Sequence, residues 1–190
     1  MTILVVATGN PGKLKEMQAH LADLDWELRL KPTELEIEEA GNTFAENACL
    51  KASQVALATG EWAIADDSGL EVAAWGGAPG VFSARYAETA AACITRLLQE
   101  LDGESNRAAQ FACAIAIARP DGTIALQAQG ICRGEILQAP QGSGGFGYDP
   151  VFYSPDQQRT FAEIPPEIKR SISHRGKAFQ QLIPQLQSLL

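Results

Sequence analysis

Cysteine is scarce in this 190-residue chain. Cys49, Cys93, Cys113 and Cys132 form no CxxC pair and no zinc-ligand spacing, which excludes a zinc ribbon or a disulfide framework. Their mostly apolar, Ala-rich surroundings fit buried thiols in a reducing compartment. Histidine is limited to His20 and His174. Basic charge is in deficit: 15 Lys and Arg face 23 Asp and Glu, a net charge of −8. The pI near 4.8 argues against an extended nucleic-acid surface. A nucleotide-sized anion can still be held by a few local Lys and Arg side chains or by a metal. No apolar run reaches membrane-spanning length, so no membrane partner is expected. The N-terminus lacks a basic region followed by a small-residue cleavage site, and a cytoplasmic location is expected. Internal repeats, linkers and low-complexity tracts are absent, as are the GxxxxGK[ST] and GxGxxG fingerprints.

The remaining composition is ordinary for a globular domain: 46% hydrophobic and 20% charged residues. The length suits one substantial domain, residues 1–190, with two lobes not cleanly separated in sequence. Apolar periodicity predicts strands at 3–8 and 26–30 and a helix at 12–24. Residues 31–42 read as acidic and irregular. Thr43 and Glu46 have capping-box spacing for a helix ending near Gly60. A short strand at 62–65 runs directly into Asp66–Gly69, and a strand-like run resumes at 70–73. A helix at 88–101, a hairpin of 111–118 with 123–129, and a strand at 131–137 follow. Short helical pieces near Ala162 and Glu167–Arg170 precede a final helix at 177–189. The pattern is α/β: a mixed sheet flanked by helices.

Four segments carry polar chemistry. In Thr8-Gly9-Asn10-Pro11-Gly12-Lys13 a strand meets a helix N-terminus, and hydroxyl, amide, N–H and ammonium groups gather where a phosphate is favoured. An ordinary strand-to-helix turn is the alternative. Asp66-Asp67-Ser68-Gly69 offers adjacent carboxylates that point opposite ways in extended chain. One can hold Mg²⁺ or accept a proton from water; an Asx turn is the alternative. Glu34, Glu36, Glu38 and Glu39 supply further carboxylates, and spacing does not choose among them. Ser143–Pro150 combines glycines with Phe146, Tyr148 and Asp149, suited to stacking on a base and bonding its edge, or to a tight turn anchored in the core. Ser173-His174-Arg175-Gly176 sets directional donors before the last helix, with Lys169 just upstream.

Taken together these segments resemble the inosine/xanthosine triphosphate pyrophosphatase family, the Ham1-like house-cleaning nucleotidases. The matching pieces are Thr8–Lys13, Thr43–Ala48, Ala65–Leu70, Gly76–Gly80 with Ser83–Tyr86, Gly144–Pro150 and Ser173–Gly176, in family order. The resemblance implies a two-lobed α/β fold around a long mixed sheet, with a central nucleotide-binding cleft. It implies Mg²⁺-dependent hydrolysis of ITP, dITP and XTP to monophosphate and pyrophosphate, by a homodimer without a stable nucleic-acid partner. A non-catalytic purine nucleotide sensor is the alternative. By the same resemblance Thr8, Gly9, Asn10, Pro11, Gly12 and Lys13 hold the triphosphate, and Lys51 and Lys169 add positive charge near it. Asp67 accepts the proton and holds metal with Glu38, and Ser68 touches substrate. Phe146, Gly147, Tyr148 and Asp149 form the base loop, with His174 and Arg175 near the purine 6-oxygen.

Overall fold

A computed structural model describes residues 2–189. The strands are β1 (Thr2–Val6), β2 (Trp26–Leu30), β3 (Trp62–Val72), β4 (Ala108–Ala118), β5 (Ile124–Ile136), β6 (Phe152–Ser154) and β7 (Arg159–Thr160). The helices are α1 (Pro11–Leu21), α2 (Phe44–Thr59), α3 (Ala90–Glu100), α4 (Pro166–Ile172) and α5 (His174–Gln187). The seven strands form one sheet in the order β2-β1-β3-β4-β5-β6-β7. Strand β1 runs parallel to β2 and β3, whereas β6 is antiparallel to β5 and β7, so the sheet is mixed as expected.

The chain divides into two compact units, each assembled from discontinuous stretches. The first comprises Met1–Asp67, Cys113–Gly130 and Arg175–Leu190. Here strand alternation sorts side chains by size. Leu4, Val6, Ile64, Ile115 and Ile117 share a core with Met17 and Leu21 of α1 and Phe179 and Leu182 of α5. The intervening Val5, Ala63, Ala65, Ala114 and Ala116 pack against Ala48, Ala52, Val55 and Ala56 of α2. Each fully buried Leu, Ile or Phe contributes about 1.5–3 kcal/mol of burial free energy. The capping box forms as the sequence indicates: Thr43 Oγ1 accepts from Glu46 N, and Glu46 Oε2 from Thr43 N. Gly60 closes α2 at φ +69°, a left-handed conformation that favours glycine.

The second unit comprises Ser68–Ala112 and Ile131–His174. Its core joins Leu70 and Val72 of β3, Leu97 of α3, Phe111 of β4, Ile136 of β5 and Phe152 of β6. A side chain at Gly134 would put its Cβ 2.4 Å from the Tyr153 carbonyl oxygen, so glycine lets β5 and β6 meet.

Several boundaries differ from the sequence expectation. Asp66–Gly69 is not a turn but the middle of β3, whose eleven residues run unbroken. Partners on both faces hold the polar residues in extended chain, which overrides their turn preference. Strand β5 likewise continues through Gly130 rather than splitting. No helix forms near Ala162 among the described residues; Arg159–Thr160 pairs with β6 instead. Helix α5 starts at His174, three residues before the expected 177. Cys93, Cys113 and Cys132 are buried as expected, whereas Cys49 is half-buried. Burial pushes the Cys113 thiol up to about 12.

Candidate functional site

The alternation that builds the first core also sorts two carboxylates. Ile64 and Asp66 belong to the face that meets α1 and α5, and Ala63, Ala65 and Asp67 to the face that meets α2. Adjacent aspartates therefore enter different networks.

Asp66 is 1% exposed and sits with Lys13 of α1 and Arg175 of α5. Its Oδ2 accepts from Arg175 Nε at 3.2 Å and Nη2 at 2.8 Å, and lies 3.3 Å from Lys13 Nζ. Arg175 Nη1 also donates to Glu16 Oε2 at 2.5 Å. Oδ1 of Asp66 is buried without a hydrogen-bond partner. Burial alone would raise this carboxyl, but the charges of Lys13, Arg175 and Lys51 hold it well below the ordinary range. Burial would likewise lower the Arg175 guanidinium, yet Asp66 raises it.

The Thr8–Lys13 turn leads directly into this cluster. Pro11 is the first helical residue and has no N–H to satisfy. Asn10 Oδ1 accepts from Gly12 N at 2.9 Å and Lys13 N at 3.2 Å, and Thr8 Oγ1 accepts from Asn10 N at 3.2 Å. Asn10 thus caps α1 through its Oδ1. The corner's positive character comes from the Lys13 ammonium and the helix dipole.

Asp67 is 7% exposed and lies against α2. Its Oδ2 accepts from Asn47 Nδ2 at 3.0 Å, and its Oδ1 lies 3.4 Å from Lys51 Nζ. Lys51 Nζ also meets Glu39 Oε1 at 2.7 Å. Burial would lower the Lys51 pKa, but Asp67, Asp66 and Glu39 together raise it. Glu38 is exposed, with its backbone N–H and carbonyl bonded to Gln54. Glu39 is the acidic-loop side chain that joins Lys51. Asn47 and Glu16 were not singled out from the sequence. Helical spacing places Asn47 one turn before Lys51, a signal that gains meaning only when α2 is laid against β3.

Two carboxylates converging on one ammonium make a hard oxygen donor set. Among the described residues no cluster of three or more His, Cys, Asp or Glu forms a closed metal cage. Mg²⁺ fits such a set, because it binds through one or two carboxylates plus substrate phosphates and waters.

In the second unit, Asp149 Oδ2 accepts from Phe146 N at 2.8 Å and Lys169 Nζ at 2.6 Å. The Lys169 ammonium lies 4.8 Å from the half-buried Phe146 ring centre. A Cβ on Gly145, at φ +69°, would come 2.0 Å from Asp149 Oδ2, so glycine is required for this closure. Tyr148 is buried and its hydroxyl donates to the Ser83 carbonyl at 2.8 Å. The loop is thus a tight anchored turn that leaves Gly147 and Phe146 partly accessible. His174 is buried and stacks on Phe111 at 4.7 Å between ring centres. Ser68 is half-buried in β3. Of the expected site residues, Thr8–Lys13, Lys51, Asp67 and Arg175 fall in the first unit; Ser68, Phe146–Asp149, Lys169 and His174 fall in the second.

Comparison with known proteins bears directly on this arrangement. A family model described as the Ham1 family matches residues 4–185. A relative from Nostoc sp. named dITP/XTP pyrophosphatase is 69% identical over 188 residues, covering 99% of this chain and 96% of the relative. A protein of the same name from Synechocystis sp. is 60% identical, covering 97% of this chain and 95% of that one. The solved structure of a HAM1 protein from Coxiella burnetii superposes with a TM-score of 0.90 at 45% identity, covering 99% of this chain and 100% of the other. The chain belongs to the Ham1 family.

Proposed function

We propose that this chain hydrolyses the deaminated purine nucleotides ITP, dITP and XTP to the monophosphate and pyrophosphate, removing them from the nucleotide pool. The observation that carries the reading is Asp67, a nearly buried carboxylate held by Asn47 and Lys51 beside Glu39. It stands in a chain whose relatives bear the name dITP/XTP pyrophosphatase. Water attacks the α-phosphorus and pyrophosphate leaves. Asp67 orients that water and takes its proton. Lys13 and Lys51 offset charge on the phosphate oxygens, with Thr8–Gly12 cradling the chain of phosphates. Asp67 and the acidic-loop carboxylates Glu38 and Glu39 would hold Mg²⁺. When bound, the ion neutralises charge on the reacting phosphate and the leaving group.

Phe146 stacks on the purine, Gly147 gives its backbone close access, and Tyr148, Asp149 and Lys169 hold the loop. His174 donates to the 6-oxo group of hypoxanthine or xanthine, where adenine carries an amino donor instead. A homodimer acting in the cytoplasm completes the reading, on the strength of the family resemblance.

Incubating the protein with Mg²⁺ and a panel of nucleoside triphosphates, then quantifying pyrophosphate and monophosphates, tests the whole reading. Equimolar pyrophosphate and IMP from ITP is the expected result. Binding without product would identify a sensor, and orthophosphate without pyrophosphate a different phosphatase. His174→Ala is expected to lower kcat/KM for ITP and XTP by roughly 5- to 150-fold, as for one buried polar contact of about 1–3 kcal/mol. Competitive inhibition by tripolyphosphate should hardly change. An unaltered ITP-to-ATP preference would remove His174 from base reading.

A further inference from the structure

Asn47, Lys51 and Gln54 lie at i, i+4 and i+7 on α2 and so share one helix face. All three grip the acidic segment 38–41. Gln54 bonds the Glu38 backbone with both ends of its amide, each at 3.1 Å. Lys51 takes the Glu39 carboxylate, and Asn47 Oδ1 accepts from Gly41 N at 2.8 Å. Asn47 and Lys51 also reach Asp67. Asn47 is 0% exposed, and its neighbours dictate its orientation: an N–H donor at Gly41 and a carboxylate acceptor at Asp67. A Cβ on Gly41 would lie 2.7 Å from Asn47 Oδ1 and 2.7 Å from Glu46 Cβ, so the loop backbone is seated directly against the amide.

We propose that Asn47 is a positioning residue that sets the separation between the Asp67 carboxylate and the loop carrying Glu38 and Glu39, preorganising these oxygens for a divalent cation. The proposal rests on the reading of Asp67 as a metal-holding group. A lysine is a flexible cation that can follow a ligand. The buried Asn47 amide is a short strut between two fixed points. Removing it frees Asp67 Oδ2 to rotate and unties the loop at Gly41. Partners that orient a metal-binding group are worth about 10–100-fold in metal affinity or activity.

The test measures Mn²⁺ binding to the nucleotide-free protein from the paramagnetic resonance signal of the free ion, together with kcat and KM for ITP. Asn47→Ala is expected to weaken Mn²⁺ binding by about 10–100-fold and to lower kcat in the same range. ITP affinity measured in EDTA should stay close to wild type. Gly41→Ala pushes the loop away from an intact Asn47–Asp67 pair and is expected to weaken Mn²⁺ binding in the same way. Should Asn47→Ala not fold, Gly41→Ala and the smaller change Asn47→Ser carry the test. A folded variant of any of these with wild-type Mn²⁺ affinity overturns the proposal, because a merely structural role lowers the melting temperature without touching the affinity of folded molecules. If the wild-type protein releases no pyrophosphate from ITP, the reading of the site fails instead.

Discussion

Asp67→Asn is expected to lower kcat for ITP by about 10³-fold, within the usual range for loss of a positioned general base, while the protein stays folded. The substitution keeps the shape of the side chain and an oxygen for the Asn47 amide, which now donates at 3.0 Å. Lys51 keeps its contact with Glu39 at 2.7 Å, so its ammonium is not stranded. The stability cost is accordingly about 1 kcal/mol, the worth of one hydrogen bond, or roughly 2–4 °C in melting temperature. What disappears is the charge that, in the proposed role, draws a proton from water and helps hold the cation. The loss should therefore sit in kcat more than in KM, as for an interaction made chiefly in the transition state. Pyrophosphate release at saturating Mg²⁺ and ITP, with a thermal melt alongside, decides the matter. A folded variant turning over within about tenfold of wild type would remove Asp67 from the chemistry.

Much of this arrangement is legible in the sequence, and residue types explain which parts. Thr43 with Glu46, Gly60 after the Ala-rich run, and Asn10-Pro11 before the first helix are local signals, read by neighbours within one turn. The divergence of Asp66 and Asp67 follows from strand geometry alone once both residues are in extended chain. The uninterrupted course of β3 is not local. Asp, Ser and Gly favour turns by themselves, but β3 lies hydrogen-bonded between β1 and β4, and Lys13 and Arg175 on one face with Asn47 and Lys51 on the other engage its two aspartates. Strands β6 and β7 were missed because three and two residues carry too little periodicity to register.

Charge type was legible where partner choice was not. The acidic segment offered several glutamates at equal standing, and the structure brings Glu39 to Lys51 while Gln54 engages the Glu38 backbone. Lys169, placed near the phosphates by the family resemblance, pairs with Asp149 in the Phe146 loop. The two compact units are also invisible along the chain, because β3, β4 and β5 each pass from one to the other and no linker composition marks the change.

The largest loss of stability is expected at Asp66, not at Asp67. Asp66→Ala leaves Arg175, itself 1% exposed, with a buried guanidinium whose remaining carboxylate partner at this cluster is Glu16. Removing one member of a buried pair costs about 3–5 kcal/mol, or roughly 6–20 °C for a chain of this size. The native Asp66 carboxyl lies below its unfolded value. Its contribution is therefore fully present above about pH 4 and is lost only as the pH falls through the native pKa. Replacing both charges, as Asp66→Leu with Arg175→Met, should restore most of the lost melting temperature, because well-packed apolar groups avoid the desolvation cost of the ions. The recovered stability should not recover function. Lys13 Nζ, now 3.3 Å from Asp66, would lose the carboxylate that places it at the helix N-terminus. Tripolyphosphate should then inhibit the double variant more weakly than wild type. Melting temperatures equally depressed in the single and double variants would show that shape rather than charge pairing governs the cluster. A stable double variant with wild-type phosphate affinity would show that Lys13 needs no carboxylate to place it.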